Sequence, residues 1–296
     1  MILTAINGLC MAIADSVPGV SGGTVAFILG FYDQFINALH GLFEKNEDTR
    51  KESRRYLFQL LLGWGPGMVA SILLLSNLFT KNIYFMSSLF LGLTIVAIPF
   101  IAHSEKQLLK KQLKHIPFML IGLAIVVGLT SLRSASGSLE TINFLSLQPL
   151  HFLYIFLTGM VAISAMVLPG ISGSTVLLIA GIYIPVLEAI KQLLNFNFAG
   201  LAGLITLGLG ILLGIGVSIH FIRSALKNHR SQMVYLVLGL MTGSLFAIVM
   251  GPTTLAEPLP ALSLSSFRLF GFLLGIAVLF GLEFLKNYRL RGEQVA

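Results

Sequence analysis

The ten residues Asp15-Ser16-Val17-Pro18-Gly19-Val20-Ser21-Gly22-Gly23-Thr24 return 151 residues later as Met166-Val167-Leu168-Pro169-Gly170-Ile171-Ser172-Gly173-Ser174-Thr175. The match continues around them at the same offset, with Gly8 on Gly159, Gly30 on Gly181, Tyr32 on Tyr183 and Ala38 on Ala189. The chain is an internal duplication. Proline removes a backbone donor and crowds the preceding turn, and glycine adds an entropic cost, so this run breaks a helix in both halves. In lipid, such a break is tolerated only where the freed backbone groups are buried in protein or line a wet cavity. Breaks at the same place in two halves point to the binding site of a transporter.

Only 10% of the 296 residues are charged and 56% are hydrophobic, against roughly 25% charged in an ordinary soluble domain. This composition defines an integral membrane protein, and its apolar runs of helical spanning length make the expected fold all-α. The single cysteine, Cys10, excludes an intrachain disulfide and reads as a packing residue. The net charge of +7 does not indicate nucleic acid, because the cations sit in short loops between apolar runs. The apolar N-terminus has no basic flank and runs straight into the first motif, so it is expected to be structure and not a cleaved signal.

A spanning helix needs about 20 apolar residues. Residues 1–14 before the first break are fewer, and Asp33 interrupts the apolar run after it. Residues 2–40 therefore read as a re-entrant hairpin, as do 150–194. Expected spans are 56–79, 83–102 and 116–132 in a first repeat (1–135), and 201–222, 232–250 and 267–285 in a second (150–290). Gly63-Trp64-Gly65-Pro66-Gly67 should kink the first span or let another helix approach closely. By pattern, Gly63 and Gly65 resemble Gly208 and Gly210, Gly92 resembles Gly239, and Gly122, Ala124 and Gly128 fall on Gly275, Ala277 and Gly281.

Each repeat is thus one hairpin plus three spans, an odd number of crossings, so the second copy enters from the opposite face and the repeats are inverted. With the N- and C-termini cytoplasmic, fifteen of the nineteen lysines and arginines fall in segments 41–55, 103–115, 223–231 and the C-terminal tail. The positive-inside rule asks for this distribution. Ten full spans satisfy the same parity; arm length favours six spans and two re-entrant hairpins.

In such an arrangement the two glycine turns meet near the membrane midplane. Half-helices beginning near Ser21 and Ser172 direct their positive ends inward, which suits an anion such as phosphate, sulfate or carboxylate. The candidate site is Ser16, Pro18, Gly19, Ser21, Gly22, Gly23 and Thr24 with Pro169, Gly170, Ser172, Gly173, Ser174 and Thr175. Hydroxyls supply donors, and the glycines allow close approach to the backbone. A single such motif is more simply a kink with small-residue packing; its recurrence at the equivalent position favours a site.

Asp15, replaced by Met166 in the second copy, is a candidate proton site, or else a cap for the following turn. Asp33 reads as an interfacial residue, and Glu188 with Lys191 as a local pair. Arg133 and Arg268, near the outer face, are candidates for attracting a lipid phosphate or for anchoring spans. The six histidines show no metal-ligand spacing, so no metal is expected. Neither a P-loop nor a nucleophile triad is present, and no cofactor is implied.

With Asp15–Thr24 plus Gly30-Phe31-Tyr32, and Leu168–Thr175 plus Gly181-Ile182-Tyr183, the whole chain resembles the PopT family of bacterial membrane proteins. The second copy departs from the first, with Leu168 before the proline and Ser174 for Gly23. The resemblance implies a lipid flippase of the plasma membrane that returns undecaprenyl phosphate to the inner leaflet for peptidoglycan and other cell-wall biogenesis. The residues alone imply a secondary transporter handling an anion, which leaves a soluble anion open. A weaker resemblance is to undecaprenyl pyrophosphate phosphatases, which carry Pro-Gly-x-Ser-Arg-Ser and paired glutamates. Gly22 and Gly173 stand at the arginine position, and no glutamate pair lies in an expected span. Loss of the bidentate arginine argues for binding the headgroup without cleaving it.

Overall fold

The computed structural model describes residues 2–15, 21–135, 142, 144, 147–170, 172–254 and 258–293; at 72–81, 282–293 and a few other positions it describes the backbone alone. Every element among these residues is helical. In order they are α1 (Ile2–Asp15), α2 (Gly22–Ile28), α3 (Tyr32–Gly41), α4 (Glu47–Ser104), α5 (Lys106–Lys111), α6 (Ile116–Ala135), α7 (Pro149–Val167), α8 (Gly173–Ile179), α9 (Tyr183–Leu194), α10 (Leu201–Asn228), α11 (Arg230–Met250) and α12 (Leu269–Glu293).

Both motifs break the helix as expected. α1 ends at Asp15 and α2 starts at Gly22; α7 ends at Val167 and α8 starts at Gly173. Second breaks follow at Gly30 and Gly181, which take left-handed φ values of 76° and 69° that favour glycine. The Pro66 segment lies inside α4, and the break in that helix comes instead at Asn82 (φ −135°, ψ 39°), between the expected spans 56–79 and 83–102.

Five helical segments among the described residues are long and apolar enough to cross a membrane: Asn82–Ser104, Leu113–Leu132, Pro149–Val167, Leu201–Asn228 and Arg230–Thr253. Four of them contain the expected spans 83–102, 116–132, 201–222 and 232–250. The fifth is α7, expected as the first arm of a hairpin; at 19 residues it reaches about 28 Å at 1.5 Å per residue, enough to cross. α1, with 14 residues, is shorter. Residues 56–79 run into the segment described by backbone alone, and Leu269–Gly281 is a shorter apolar helix.

Packing rests on glycines placed where helix backbones touch, the small-residue contact of helices in lipid. A Cβ on Gly8 would overlap the Leu60 carbonyl, one on Gly63 the Ala5 carbonyl, and one on Gly67 would press on Leu9 and Ala12. The second half repeats each contact: Gly159 on Leu207, Gly210 on Phe156, and Gly214 on Met160 and Ile163. These contacts pair Gly63 with Gly210 and Gly67 with Gly214, two residues off the match suggested by the local glycine pattern. Register is set by which glycine meets a neighbouring carbonyl; Gly65 and Gly208 meet nothing.

The halves also exchange elements. Gly92 of α4 lies on Phe272 of α12 and Gly275 of α12 on Leu89 of α4, while Gly239 of α11 lies on Met119 of α6 and Gly122 of α6 on Leu236 of α11. α11 is the most enclosed of the five segments, and the one containing α6 the least.

Candidate functional site

The two motifs meet. Ser21 caps α2, its hydroxyl accepting from the Gly23 amide at 3.1 Å and lying 3.3 Å from the Leu168 carbonyl and 3.4 Å from that of Met166, to which it donates. Thr24 Oγ1 accepts from the Gly170 amide at 2.8 Å. A Cβ on Gly23 would lie 2.8 Å from the Val167 carbonyl oxygen, so only glycine lets the first turn of α2 settle against the end of α7. Gly170 holds φ +94° against the backbone of Leu240 and Met241. Ser21, Thr24 and Ser172 are 0%, 3% and 5% exposed, hydroxyls buried at the junction of the two halves.

The junction already holds a buried carboxyl group of its own. The Gly22 amide donates to Asp15 Oδ1 at 2.7 Å, and the indole of Trp64 donates to Asp15 Oδ2 at 3.1 Å. The end of α1 thus places a carboxylate on the first amide of α2, where the dipole and the free amides favour negative charge. Trp64, the single tryptophan, stands in the glycine-rich run, where nothing in the local sequence marks it as a site residue. By the packing register its counterpart is Ile211, as that of Asp15 is Met166. The polar pair is absent from the second half as a unit.

Of the other expected residues, Ser16, Pro18 and Gly19 lie outside the described residues, and the side chains of Ser174, Lys191 and Arg133 are not described. Pro169 and Gly170 form the turn after α7, and Gly173 and Thr175 lie in the first turn of α8. Arg268 is exposed just before α12, its amide donating to Ser88 Oγ at 3.0 Å. Glu188 is exposed on α9.

A second polar cluster joins α3 to the second half. Arg230 donates to Asp33 Oδ2 at 2.8 Å and to Glu105 Oε1 at 2.6 Å. Nearby, Arg223 donates to Asn37 Oδ1 at 3.2 Å, lies 2.9 Å from His40 Nδ1 and 3.3 Å from Glu44, and the His40 and His220 rings stack at 5.3 Å. Arg230, Glu105, Arg223 and Glu44 belong to the segments expected on the cytoplasmic face, Asn37, His40 and His220 lie within a turn or so of them, and Asp33 lies inside the expected first hairpin. The sequence signal was charge in loops; the pairing across the repeats was not visible in it.

Apolar helices of spanning length, broken at duplicated motifs that meet in the interior, define a multi-pass membrane protein of the transporter class. The chain matches the undecaprenyl phosphate translocase-like family over residues 11–264, and it belongs to that family. It is 34% identical over 261 residues to a polyprenyl-phosphate transporter of Staphylococcus aureus, covering 85% of this chain and 87% of the relative. It is 31% identical over 252 residues to a polyprenyl-phosphate transporter of Vibrio cholerae, covering 82% and 75%. No solved structure matches the chain. The protein is a transporter and not an enzyme.

Proposed function

We propose that the protein carries undecaprenyl phosphate from the outer to the inner leaflet of the bacterial plasma membrane, where the lipid re-enters cell-wall synthesis. Family membership and the two polyprenyl-phosphate transporters among its relatives support the substrate class. The observation that carries the site is the Asp15 carboxylate on the Gly22 amide at the junction of the two motifs. The headgroup binds there by displacing the Asp15 carboxyl group, taking the amides of 22–23 and the hydroxyls of Ser21, Thr24, Ser172 and Thr175, with Pro169–Gly170 shaping the turn. A phosphate in the bilayer interior must exchange its water for such donors, since uncompensated burial of charge costs several kcal/mol or more.

In this reading the two repeats are inverted, the termini are cytoplasmic, and each hairpin returns the chain to the face it came from. The prenyl tail stays in lipid while the headgroup passes between the halves. Displaced from Gly22, Asp15 takes up a proton, which couples transport to a proton gradient. Arg133 and Arg268 draw the headgroup in at the outer face.

The test is reconstitution in liposomes with labelled undecaprenyl phosphate, following leaflet accessibility and free phosphate together. Wild type is expected to exchange the lipid without releasing phosphate, and Ser21→Ala/Ser172→Ala to slow exchange by about tenfold or more, as loss of two hydrogen bonds to a charged group implies. Phosphate release would make the protein a phosphatase. Exchange untouched by the double substitution would remove the site.

A further inference from the structure

α2 is seven residues long, so about 10 Å separates its start at the paired motifs from its end at Phe27 and Ile28. That far end opens on a cavity of about 190 Å³ with two unlike walls. Phe27, Ile28, Phe100 and Ile101 make one wall apolar, while Arg230 with its two carboxylate partners makes the other charged. Tyr32 also lines it; the residue is 2% exposed, and among the described residues its hydroxyl has no hydrogen-bond partner. A buried hydroxyl left without a partner costs about 1–3 kcal/mol, which a ligand oxygen would recover.

Arg230 also lines a second cleft, of about 370 Å³, whose wall includes Lys114 and Lys227 and, among the described residues, no carboxylate. His229, Arg230, Ser231 and Gln232 on that wall form the start of α11. A cation in the first turn of a 21-residue helix opposes the helix dipole, so Arg230 does not serve the stability of α11. It sits where an anion is favoured twice, by the dipole and by the neighbouring lysines. Its guanidinium is the group best shaped for two oxygens of one phosphate, and Asp33 of α3 and Glu105 at the junction of α4 and α5 now occupy it.

We propose that Arg230 is a second headgroup station of the carrier, at the end of α2 away from the paired motifs. There the phosphate of a prenyl monophosphate replaces Asp33 and Glu105, and its first isoprene units lie along Phe27, Ile28, Phe100 and Ile101. The exchange also unties α3 and the end of α4 from α11, so arrival of the headgroup and release of the clamp are one event. The proposal rests on the prenyl-phosphate reading above.

The experiment uses the full chain in detergent and farnesyl phosphate bearing a photoreactive diazirine on its tail, with labelled peptides identified by mass spectrometry. Leaflet exchange of undecaprenyl phosphate is followed in liposomes on the same preparations. Wild type is expected to be labelled around Phe27 and Phe100. Arg230→Gln should lower that labelling about tenfold while labelling near residues 166–170 persists, and Asp33→Asn/Glu105→Gln should raise it several-fold, the scale of a charge-assisted hydrogen bond gained or lost.

Equal labelling in wild type and Arg230→Gln would overturn the proposal. Suppression by equimolar inorganic phosphate would also overturn it, assigning the station to a free anion, and so would equal labelling by the corresponding farnesol probe. If Arg230→Gln fails to fold, the double carboxamide variant decides, unchanged or weaker labelling being the adverse result. Wild-type lipid exchange combined with Arg230-independent labelling removes the station and leaves the transport reading standing. Arg230-dependent labelling without exchange supports the station and strikes the transport reading alone.

Discussion

Asp15 and Trp64 are lost together in the second half, to Met166 and Ile211, so their hydrogen bond behaves as one polar substitution in an otherwise repeated contact. Asp15→Asn turns an amide N–H toward either Trp64 or Gly22, setting donor against donor, and is expected to cost about 1–3 kcal/mol. The thermal midpoint reads the cost, and the emission of the only tryptophan reads the contact; unchanged emission would mean that the indole does not feel the carboxylate. Asp15→Met/Trp64→Ile, which installs the second half's pair, should be more stable than the sum of its single variants, with a coupling of about 0.5–3 kcal/mol in a double-mutant cycle. Gly170→Ala meets both a left-handed φ of +94° and the Leu240 backbone carbon at 2.7 Å, and should cost at least about 1–3 kcal/mol. Wild-type stability in that variant would contradict the close packing of the second break on α11.

At the scale of elements, the glycines divide by what faces them. Gly63→Ala and Gly210→Ala force a methyl into the carbonyls of Ala5 and Phe156, so each should destabilise by about 1–3 kcal/mol. Gly65→Ala and Gly208→Ala face open space and should be neutral, or stabilise by up to about 1 kcal/mol through helix propensity. Thermal melts of the four variants in one detergent compare them directly; equal effects at 63 and 65 would refute the register of α1 on α4. The glycines of these helices were legible in the sequence, yet their pairing was not. Spacing within one helix does not say which of two faces meets a neighbour.

For the molecule as a whole, the exchanged contacts tie each half to the other: α12 lies on α4, and α6 on α11. The proposed inversion predicts Lys45, Lys110 and Lys227 on one face of the membrane and Asn197 and Leu264 on the other. Leu264 is 98% exposed. In a Cys10→Ser background, cysteines at 45, 110 and 227 should react with a membrane-impermeant maleimide only from the cytoplasmic side, and those at 197 and 264 only from outside. Labelling of 227 and 264 from the same side would break the parity on which the inversion depends.

The apolar composition and the doubled Pro-Gly/Ser-Gly run determined by themselves that this chain is a helical membrane protein with two equivalent breaks. Lipid leaves the backbone few alternatives, and proline and glycine act through local geometry. The breaks at 15–22 and 167–173 and helices over four of the expected spans follow from such local terms, whereas the second breaks at Gly30 and Gly181 divide arms that the sequence reads as single half-helices. Tertiary structure alone decided that the motifs bond to each other through Ser21–Leu168 and Thr24–Gly170, that Asp15 finds Trp64, and that Arg230 finds Asp33 and Glu105. Those partners lie 49 to 197 residues apart, or 146 and 147 for the motif bonds. Only the packing of whole helices, set by where a glycine can meet a carbonyl, brings them within reach.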